Sequence, residues 1–424
     1  MIRRKRACWV AAFMACVLLL GGCSIWPGQD DSATSKKVAL TLWYWNRSID
    51  DKLLAKAQEQ FPNIQLTAQK IGGDFKAKLK TTLAARSGEP DIVALNDWIM
   101  ELFPSEDRFY NLYDLGAGDI EDQYLEWKWK QGVTPSGQMI GFPMDTGPTA
   151  LFYREDLFRE AGLPSDPDEV SRQINSWEAY AAAGEKLKNA FGGKVFLTDN
   201  IGSVYNQVLS QGTDRYFQPD GTFLGLDSPL VKTSWDTAIS FKEKGLLANA
   251  DGWTPGWNAA MNNGEIASFV GAVWMKQVLQ EAAPDTSGKW RVARAPGGDG
   301  NNGGSFLSIL KSSEHPQEAF ELIRWLQNPE NQLEQYQTLN LFPSAPSVFD
   351  SPSMKEEEPF FGGQATGSVF AESAQHVPIA FFGERYPSVH GIITRRLNDI
   401  AKQNANPQQV WNDTVQRVDR ELQR

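Results

Sequence analysis

The sequence has 424 residues, enough for roughly two to four domains of ordinary size. Hydrophobic residues make up 41% of the chain and charged residues 22%, a globular composition that excludes a disordered or fibrous protein. The formal net charge of −11 has the wrong sign for a protein whose main task is binding a nucleic-acid backbone. Fifteen Trp stand beside only three His and three Cys, so a His-rich metal centre has little support.

The first 23 residues carry all three cysteines, Cys8, Cys16 and Cys23. Four basic residues at positions 3–6 precede an apolar stretch at 7–20 that contains no charge. This stretch is too short for a comfortable transmembrane span and has the layout of a secretory signal. Its end, Leu20-Gly21-Gly22-Cys23, resembles a bacterial lipobox, in which the Cys is acylated and becomes the new N-terminus. A plain signal peptide with an incidental Cys is the alternative.

Cleavage before Cys23 would remove a signal peptide at 1–22 and leave a mature chain of residues 23–424. The formal charge of that chain is −15, because the leader takes four cations with it. Its one Cys would carry the lipid, such as palmitate, so no intramolecular disulfide can form and stability must come from core burial. Residues 23–37 are small and polar, which is typical of a flexible tether. We expect an extracytoplasmic protein, anchored to the cell membrane by lipid on Cys23.

Strands and helices alternate in the first part of the predicted body. Strands are predicted over 38–45, 64–68 and 90–95, and helices over 50–61 and 75–85, where Pro62 and Ser87-Gly88 end them. The order β-α-β-α-β predicts a mainly parallel sheet with helices on both faces.

The α/β pattern continues beyond an irregular stretch that contains Trp127 and Trp129. A strand is predicted over 150–153, and helices are predicted over 155–161, 176–187, 235–244, 257–262, 316–326 and 407–422. The last helix carries apolar residues at helical spacing and is expected to pack on the surface of the body. Residues 297–304, GGDGNNGG, have the composition of a flexible linker.

Several short motifs follow one another in an order that covers nearly all of the chain. They are Trp43-Tyr44-Trp45 at the end of the first strand, the turn Phe61-Pro62-Asn63-Ile64, the strand start Pro90-Asp91-Ile92, the segment 141–147 leading into 151–158, Trp177-Glu178, the segment 263–267 and the segment 313–319. Each motif alone is loose, but their order resembles the extracellular solute-binding lipoproteins of bacterial ABC importers. The resemblance is to the sugar-binding branch, family 1, of the maltose-binding-protein-like type.

This resemblance implies an α/β, two-lobed fold of the periplasmic-binding-protein type II. Each lobe would be a mainly parallel sheet with helices on both faces, and the ligand cleft would lie between the lobes. Lobe 1 would hold 38–147 and 306–349, and lobe 2 would hold 148–304 and 350–424. The hinge crossings are expected at 146–151, 303–307 and 342–346.

Carbohydrate recognition requires flat apolar surfaces for ring faces and planar polar groups for hydroxyls. Such residues occur at predicted strand ends and in loops, where open α/β sheets bind ligands. The expected ligand-binding residues are Trp43, Trp45, Asn46, Arg47, Asn96, Asp97, Asp145, Tyr205, Trp253, Trp257, Trp274, Ser305 and Tyr386.

Several of these assignments have a structural alternative. Trp43 and Trp45 share one face of a strand, so at least one is expected in the core. Asn96-Asp97 could instead cap the next helix. Trp274 also matches the stacking Trp that the resemblance implies.

The alternative function is an exported lipoprotein glycosidase or lyase that acts on polysaccharide. A glycosidase needs two carboxylates across the scissile bond, and no spacing motif singles out a pair among Asp97, Asp145 and Glu384. A Ser nucleophile would want a G-x-S-x-G elbow, which is not found. The three His have no metal-ligand spacing and are expected at the surface. We therefore expect no catalytic residue, no metal and no cofactor.

The sequence thus predicts a non-enzymatic, lipid-anchored receptor that captures a sugar, with an oligosaccharide favoured because several rings need several Trp platforms. Its expected partners are the sugar, the membrane permease subunits of an ABC importer and, through the lipid, the membrane. No nucleic-acid partner is expected, and the protein is expected to be a monomer. Ligand would favour the closed lobes through contacts available only in that state.

Overall fold

The structure, a computed structural model, describes residues 37–424. The predicted signal peptide, Cys23 and the tether up to residue 36 lie outside the described residues. Within 37–424, none of the helices has both the length and the apolar character needed to cross a bilayer.

Ten strands and fifteen α-helices make up the regular part of the described chain. The strands are β1 Val38–Tyr44, β2 Ile64–Lys70, β3 Ile92–Leu95, β4 Phe142–Pro143, β5 Asp145–Thr146, β6 Thr149–Arg154, β7 Ser268–Ala272, β8 Trp290–Ala293, β9 Phe306–Ile309 and β10 Phe342–Pro343. The helices are α1 Asp51–Gln60, α2 Phe75–Ala85, α3 Glu126–Gln131, α4 Glu155–Glu160, α5 Pro167–Gln173, α6 Trp177–Ala190, α7 Ile201–Ser210, α8 Pro229–Glu243, α9 Pro255–Asn263, α10 Met275–Ala282, α11 Pro316–Leu326, α12 Pro329–Leu339, α13 Thr366–His376, α14 Tyr386–Gln403 and α15 Pro407–Leu422. Short 3-10 helices cover Asp97–Arg108, Leu112–Leu115, Ala117–Gln123, Pro284–Thr286, Pro346–Val348, Pro352–Lys355 and Pro359–Phe361.

The first sheet has the strand order β2-β1-β3-β9-β4 and is the base of what we call the first lobe. β1 runs parallel to β2 and β3, as the predicted β-α-β-α-β order requires. The helix after β1 begins where predicted, because the side chain of Asp50 accepts a hydrogen bond from the backbone N–H of Lys52. That helix buries Leu53 and Ala57 against the sheet. β9 returns from the other lobe and runs antiparallel to its neighbours β3 and β4.

The second sheet has the order β7-β6-β8 and is the base of the second lobe. β6 is antiparallel to both neighbours, and among the described residues of this lobe parallel pairing occurs only as bridges from Phe196 to Ile266 and from Thr198 to Leu247. The expectation of a mainly parallel sheet is therefore wrong for this lobe. The reason is that a β-α-β pattern fixes direction only between strands joined by one helix, and the partners of β6 lie more than a hundred residues further along the chain.

The chain crosses from the first sheet to the second between β4 and β6, and it returns between β8 and β9. β5 lies on the first crossing and pairs antiparallel with β10, with Thr146 opposite Phe342. The two crossings also bond to each other: the N–H of Gly147 donates to Oδ1 of Asn301 at 2.8 Å, and the N–H of Asn302 donates to the carbonyl of Gly147 at 2.9 Å. The residue limits of the two lobes given above stay a prediction.

Candidate functional site

Two cavities lie where the first and second lobes face each other, and a third lies beside them in the second lobe. The central cavity, of about 190 Å³, is lined by Asp97, Ile99, Met100, Gln131, Asn206, Gln207, Ser210, Arg215, Asn301, Asn302, Gly303, Phe306, Phe382, Tyr386 and His390. The tryptophan cavity, of about 120 Å³, is lined by Asp199, Ser203, Gln207, Gly252, Trp253, Trp257, Phe269, Val270, Gly271, Trp274, Met275, Val278 and Asn302. The outer cavity, of about 480 Å³, is lined by Phe103, Pro104, Glu106, Pro135, Ser136, Phe217, Pro219, Asp220, Gly221, Phe381, Gly383, Glu384 and Arg385. Gln207 and Asn302 line both the central and the tryptophan cavity, so these two cavities adjoin each other.

Asp97 supplies a carboxylate to the central cavity from the first lobe. It opens the 3-10 helix after β3, and its N–H donates to the side chain of Asn96 at 2.7 Å. Asn96 is thus the helix cap, which was the structural alternative for this residue. Asp97 is exposed to the cavity, yet the protein on its other sides raises the pKa of the carboxyl by desolvation, and the charge of Lys128 opposes this rise.

Helix α7 supplies two amide side chains from the second lobe. Its N-terminus is fixed by Asn200, whose side chain accepts from the N–H of Ser203 at 2.9 Å. One turn and a half later, Asn206 and Gln207 line the central cavity. Oδ1 of Asn206 and Oε1 of Gln207 are buried and have no hydrogen-bond partner among the described residues. A buried acceptor without a partner is costly, so these two atoms are suited to hydroxyl donors of a ligand.

A buried polar network supports the same wall of the central cavity. The Tyr216 hydroxyl lies 2.8 Å from that of Tyr205 and 2.9 Å from Nδ1 of His390. Burial, with a contribution from the Arg215 charge, lowers the pKa of His390 to about 4, so the imidazole is neutral at physiological pH. Arg215 donates to the carbonyl of Ser210 at 3.0 Å and lies over the ring of Phe382.

Two of the predicted ligand-binding residues, Tyr386 and Tyr205, lie at this network, but only one of them lines the cavity. Tyr386 lines the central cavity, as expected for a ligand-binding residue. Tyr205 is fully buried and serves the network behind the wall, so its assignment to the ligand site is corrected. His390, which the sequence placed at the surface, lies half-buried against both.

Trp253 and Trp274 stack on each other beside the tryptophan cavity, with ring centroids 5.7 Å apart and planes 18° from parallel. The Trp274 Nε1–H donates to the carbonyl of Asn302 at 3.0 Å, which fixes this indole to the crossing segment. Trp253 is 67% exposed and has a φ of +67°, an unfavourable backbone conformation for a residue with a side chain. An exposed indole in a strained backbone, beside a cavity, is typical of a ligand-contacting position.

Trp257 has a different environment from its two neighbours. It is 1% exposed, and its Nε1–H donates to Oδ2 of Asp199 at 3.3 Å. Its ring meets Phe269 edge-to-face in the core of the second lobe. Trp257 therefore belongs to the core beneath the tryptophan cavity, whose lining it shares, and its assignment as an exposed stacking platform is corrected.

Asp145 and Ser305 bind each other rather than facing a cavity. The Ser305 N–H donates to Oδ1 of Asp145 at 2.9 Å, and both residues are buried beside the crossing segments. Lys128 is completely buried nearby, and its ammonium lies 3.4 Å from the centroid of the Phe306 ring with no hydrogen-bond partner among residues 37–424. Burial lowers the pKa of Lys128 to about 7 against the charges of Asp145 and Asp97, and burial raises the pKa of Asp145.

The residues at the end of β1 lie outside all three cavities. Trp43 is buried with the Lys78 ammonium 4.6 Å from its ring, and Trp45 packs edge-to-face on Phe75. Both Trp are thus packing residues. Asn46 is exposed.

Arg47 instead crosses to the second lobe. Its guanidinium donates to Oε1 of Gln277 and lies 3.8 Å from Oε1 of Glu281, both on α10. Arg47 is therefore a contact between lobes and has no place in a cavity wall.

Most of the polar lining of the central cavity was not predicted from the sequence. The polar residues absent from the prediction are Gln131, Asn206, Gln207, Ser210, Arg215, Asn301, Asn302 and His390, and the aromatic residues Phe306 and Phe382 were absent too. Asn301 and Asn302 carried a usable signal, since they interrupt the Gly-rich segment at a predicted hinge crossing. Helix α7 was not predicted at all, so its side chains had no assigned face. Within the described residues, no group of three or more His, Cys, Asp or Glu could hold a metal ion.

A family model described as "Bacterial extracellular solute-binding protein" matches residues 52–362. The lactose-binding protein of Rhizobium radiobacter is 24% identical over 367 residues, which cover 81% of this chain and 84% of that protein. The arabinooligosaccharide-binding protein of Bacillus subtilis is 22% identical over 432 residues, which cover 96% of this chain and 97% of that protein.

Solved structures show the same architecture. A structure described as extracellular solute-binding protein family 1 superimposes with a TM-score of 0.87 at 29% identity, covering 90% of this chain and 99% of that one. The sugar-binding protein MalE of Xanthomonas citri superimposes with a TM-score of 0.77 at 18% identity, covering 90% of this chain and 97% of that one. These matches confirm the predicted two-lobed α/β fold.

Replacing Trp257 by Ala should lower the free energy of unfolding by about 3–5 kcal/mol, because the indole is buried in the core. Replacing Trp253 by Ala should lower it by no more than about 1 kcal/mol, because that indole is exposed and loses only its stack on Trp274. Urea unfolding followed by circular dichroism measures both. Equal midpoints for Trp257→Ala and the wild type would contradict the core assignment.

The buried lysine predicts a pH-dependent stability. Below about pH 7 both folded and unfolded chains hold the Lys128 proton, whereas between about 7 and the ordinary value of 10.5 only the unfolded chain holds it. The free energy of unfolding, compared with a Lys128→Met variant, should therefore rise with pH across this window, by at most about 1.4 kcal/mol per pH unit. Urea titrations at several pH values measure the difference.

The exposed Lys130 on the same helix gives the matched control, because Lys130→Met also removes one cation from α3. If the difference in free energy of unfolding between the wild type and Lys128→Met stays constant from about pH 7 to 10.5, the prediction is wrong.

Proposed function

We propose that this chain, which belongs to the bacterial extracellular solute-binding proteins, captures a carbohydrate outside the cytoplasmic membrane and delivers it to an ABC importer. The names of its curated relatives, a lactose-binding and an arabinooligosaccharide-binding protein, support carbohydrate as the ligand class. The chain is a transport binding protein and not an enzyme, so the glycosidase or lyase alternative is set aside.

One observation in the structure carries the proposal: two unpartnered amide acceptors on α7 line a cavity that adjoins the one lined by a pair of stacked Trp. Asn206 and Gln207 offer oxygen acceptors, and Asp97 offers a carboxylate from the opposite lobe. Trp253 and Trp274 offer flat apolar surface at the other end. A sugar supplies both complements, since its hydroxyls donate and its C–H faces stack on indoles.

The mechanism would be closure of the two lobes on the ligand. A sugar that touches Asp97 in the first lobe and α7 in the second makes both sets of contacts only when the lobes are closed, so binding shifts the population toward that state. The crossings at 146–151, 303–307 and 342–346 are the proposed hinges. Lobe 1 would then hold 38–147 and 306–349, and lobe 2 would hold 148–304 and 350–424. The Arg47 contact with α10 would help to hold the closed state.

Ligand contact by Asp97, Trp253, Trp274 and Tyr386 remains our proposal. The position of all four in the walls of the central and tryptophan cavities supports it. We add Asn206 and Gln207 to this set.

Binding of a sugar in the tryptophan cavity should change the fluorescence of the stacked indoles. Titration with lactose, arabinooligosaccharides and maltooligosaccharides is expected to give a saturable change with at least one of them. Hydrolysis of any sugar by the pure protein, with no saturable response, would overturn the receptor function.

Replacing Gln207 by Leu should lower the affinity for the sugar that gives the fluorescence response by roughly tenfold, because the variant removes an acceptor while keeping a similar volume. Gln335 on α12 gives the matched control: it is also buried with an unpartnered Oε1, but it lies outside the three cavities. Gln335→Leu should leave affinity unchanged. Equal affinities of Gln207→Leu and wild type would exclude this residue from the site.

We further propose that the protein is a monomer held to the membrane by lipid on Cys23, with residues 1–22 removed as a signal peptide and 23–37 as a tether. The leader supports the lipid anchor, because its basic start is followed by an apolar stretch and then by Leu20-Gly21-Gly22-Cys23. Delivery to membrane permease subunits follows from such an anchor, because it keeps the receptor close to the importer.

Cys23→Ser should release the protein from the membrane fraction or leave it unprocessed, since Ser has no thiol to acylate. Cys16→Ser, in the apolar part of the same leader, should leave it in the membrane fraction. Cell fractionation with immunoblotting distinguishes the two, and a membrane-bound, normally processed Cys23→Ser protein would refute the anchor.

A further inference from the structure

The outer cavity is the largest of the three, about 480 Å³, and the ligand-binding proposal above does not use it. We propose that it is a further subsite, which holds the additional rings of an uncharged oligosaccharide whose first rings lie in the central and tryptophan cavities. The inference rests on the proposed function, since it extends the same ligand.

The outer cavity lies next to the central cavity along both lobes. In the first lobe, the 3-10 helix Asp97–Arg108 gives Ile99 and Met100 to the central cavity and Phe103 and Pro104, one turn later, to the outer cavity. In the second lobe, Phe382 lines the central cavity, and the residues on either side of it, 381 and 383, line the outer cavity. A ligand longer than the central cavity would therefore meet the outer one past the segment that holds Phe382.

The outer cavity combines aromatic surface with acceptors, as the proposed sugar site does. Phe103 of the first lobe and Phe381 of the second are half-buried, so each can offer part of a ring to a ligand. Phe217 is buried behind them against Phe223, with ring centroids 5.5 Å apart. Flat apolar surface on both sides of a gap suits the two faces of a sugar ring.

The charged residues of the outer cavity favour a neutral ligand. Oε2 of Glu106 accepts from the Ser136 hydroxyl at 2.8 Å and has capacity for a second donor. Glu384 is exposed at the rim. The one cation of the lining, Arg385, donates to the carbonyls of Glu421 and Leu422 at 3.0 and 3.2 Å. Carboxylates that accept from hydroxyls suit an uncharged sugar and disfavour an acidic one.

Chain length is the variable that tests the subsite. The probes are two series measured by calorimetry on the whole protein: arabinooligosaccharides from disaccharide to tetrasaccharide, and lactose with its galactosyl-extended tri- and tetrasaccharides. In the series that binds, the longer members should bind roughly tenfold more tightly than the disaccharide. Phe103→Ala and Phe381→Ala should abolish this gain and leave the disaccharide affinity unchanged.

Phe61→Ala is the matched control, because Phe61 is also half-buried, packs against Trp325 and lies outside the three cavities. It should keep the chain-length gain. Glu384→Ala is the second variant if the Phe replacements fail to fold, since the exposed carboxylate has no packing role; it should reduce the gain.

Two results would overturn the inference alone: equal affinity for all members of a binding series, or variants that weaken the disaccharide as much as the tetrasaccharide. Variants with unchanged affinity for every sugar would point instead to a contact for the permease, and they too would overturn it. If no member of either series binds, the proposed function fails and the inference fails with it.

Discussion

The hydrogen bonds between the two crossing segments are the constraint on which the site depends. Gly147 on the outward crossing bonds to both Asn301 and Asn302 on the return crossing. The segments approach so closely that a Cβ on Gly147 would lie 2.0 Å from the Asn302 carbonyl oxygen, which only glycine can avoid. Since Asn302 also holds the Trp274 indole and lines two cavities, this contact fixes the aromatic end of the site to the junction of the lobes.

Beneath that junction lies an arrangement of buried charge. Lys128 has no hydrogen-bond partner among the described residues and instead rests on the ring of Phe306, with Asp145 and Asp97 supplying the opposing charge. Such a group is costly to bury, and a protein selected only for stability would replace it with an apolar side chain.

Local sequence signals predicted local structure well. Helices 75–85, 316–326 and 407–422 have the predicted bounds, because each has an N-terminal Asp, Pro or Asn signal and an apolar stripe at helical spacing. Helix α7 was missed, although its apolar residues stand at helical spacing after the Asn200 cap. Because this helix was not predicted, Asn206 and Gln207 were not predicted as site residues. They are the residues whose unpartnered acceptors line the central cavity.

The sequence by itself determined the family, the α/β class and the residue types needed for sugar recognition, because ordered motifs and periodicity are local properties of the chain. Only the tertiary structure decided which Trp face a cavity: Trp253 and Trp257 are four residues apart, yet one is exposed and the other is core. It also decided that Arg47 contacts the opposite lobe. The physical reason is that burial and cleft geometry depend on segments more than a hundred residues apart, whose approach no local pattern encodes.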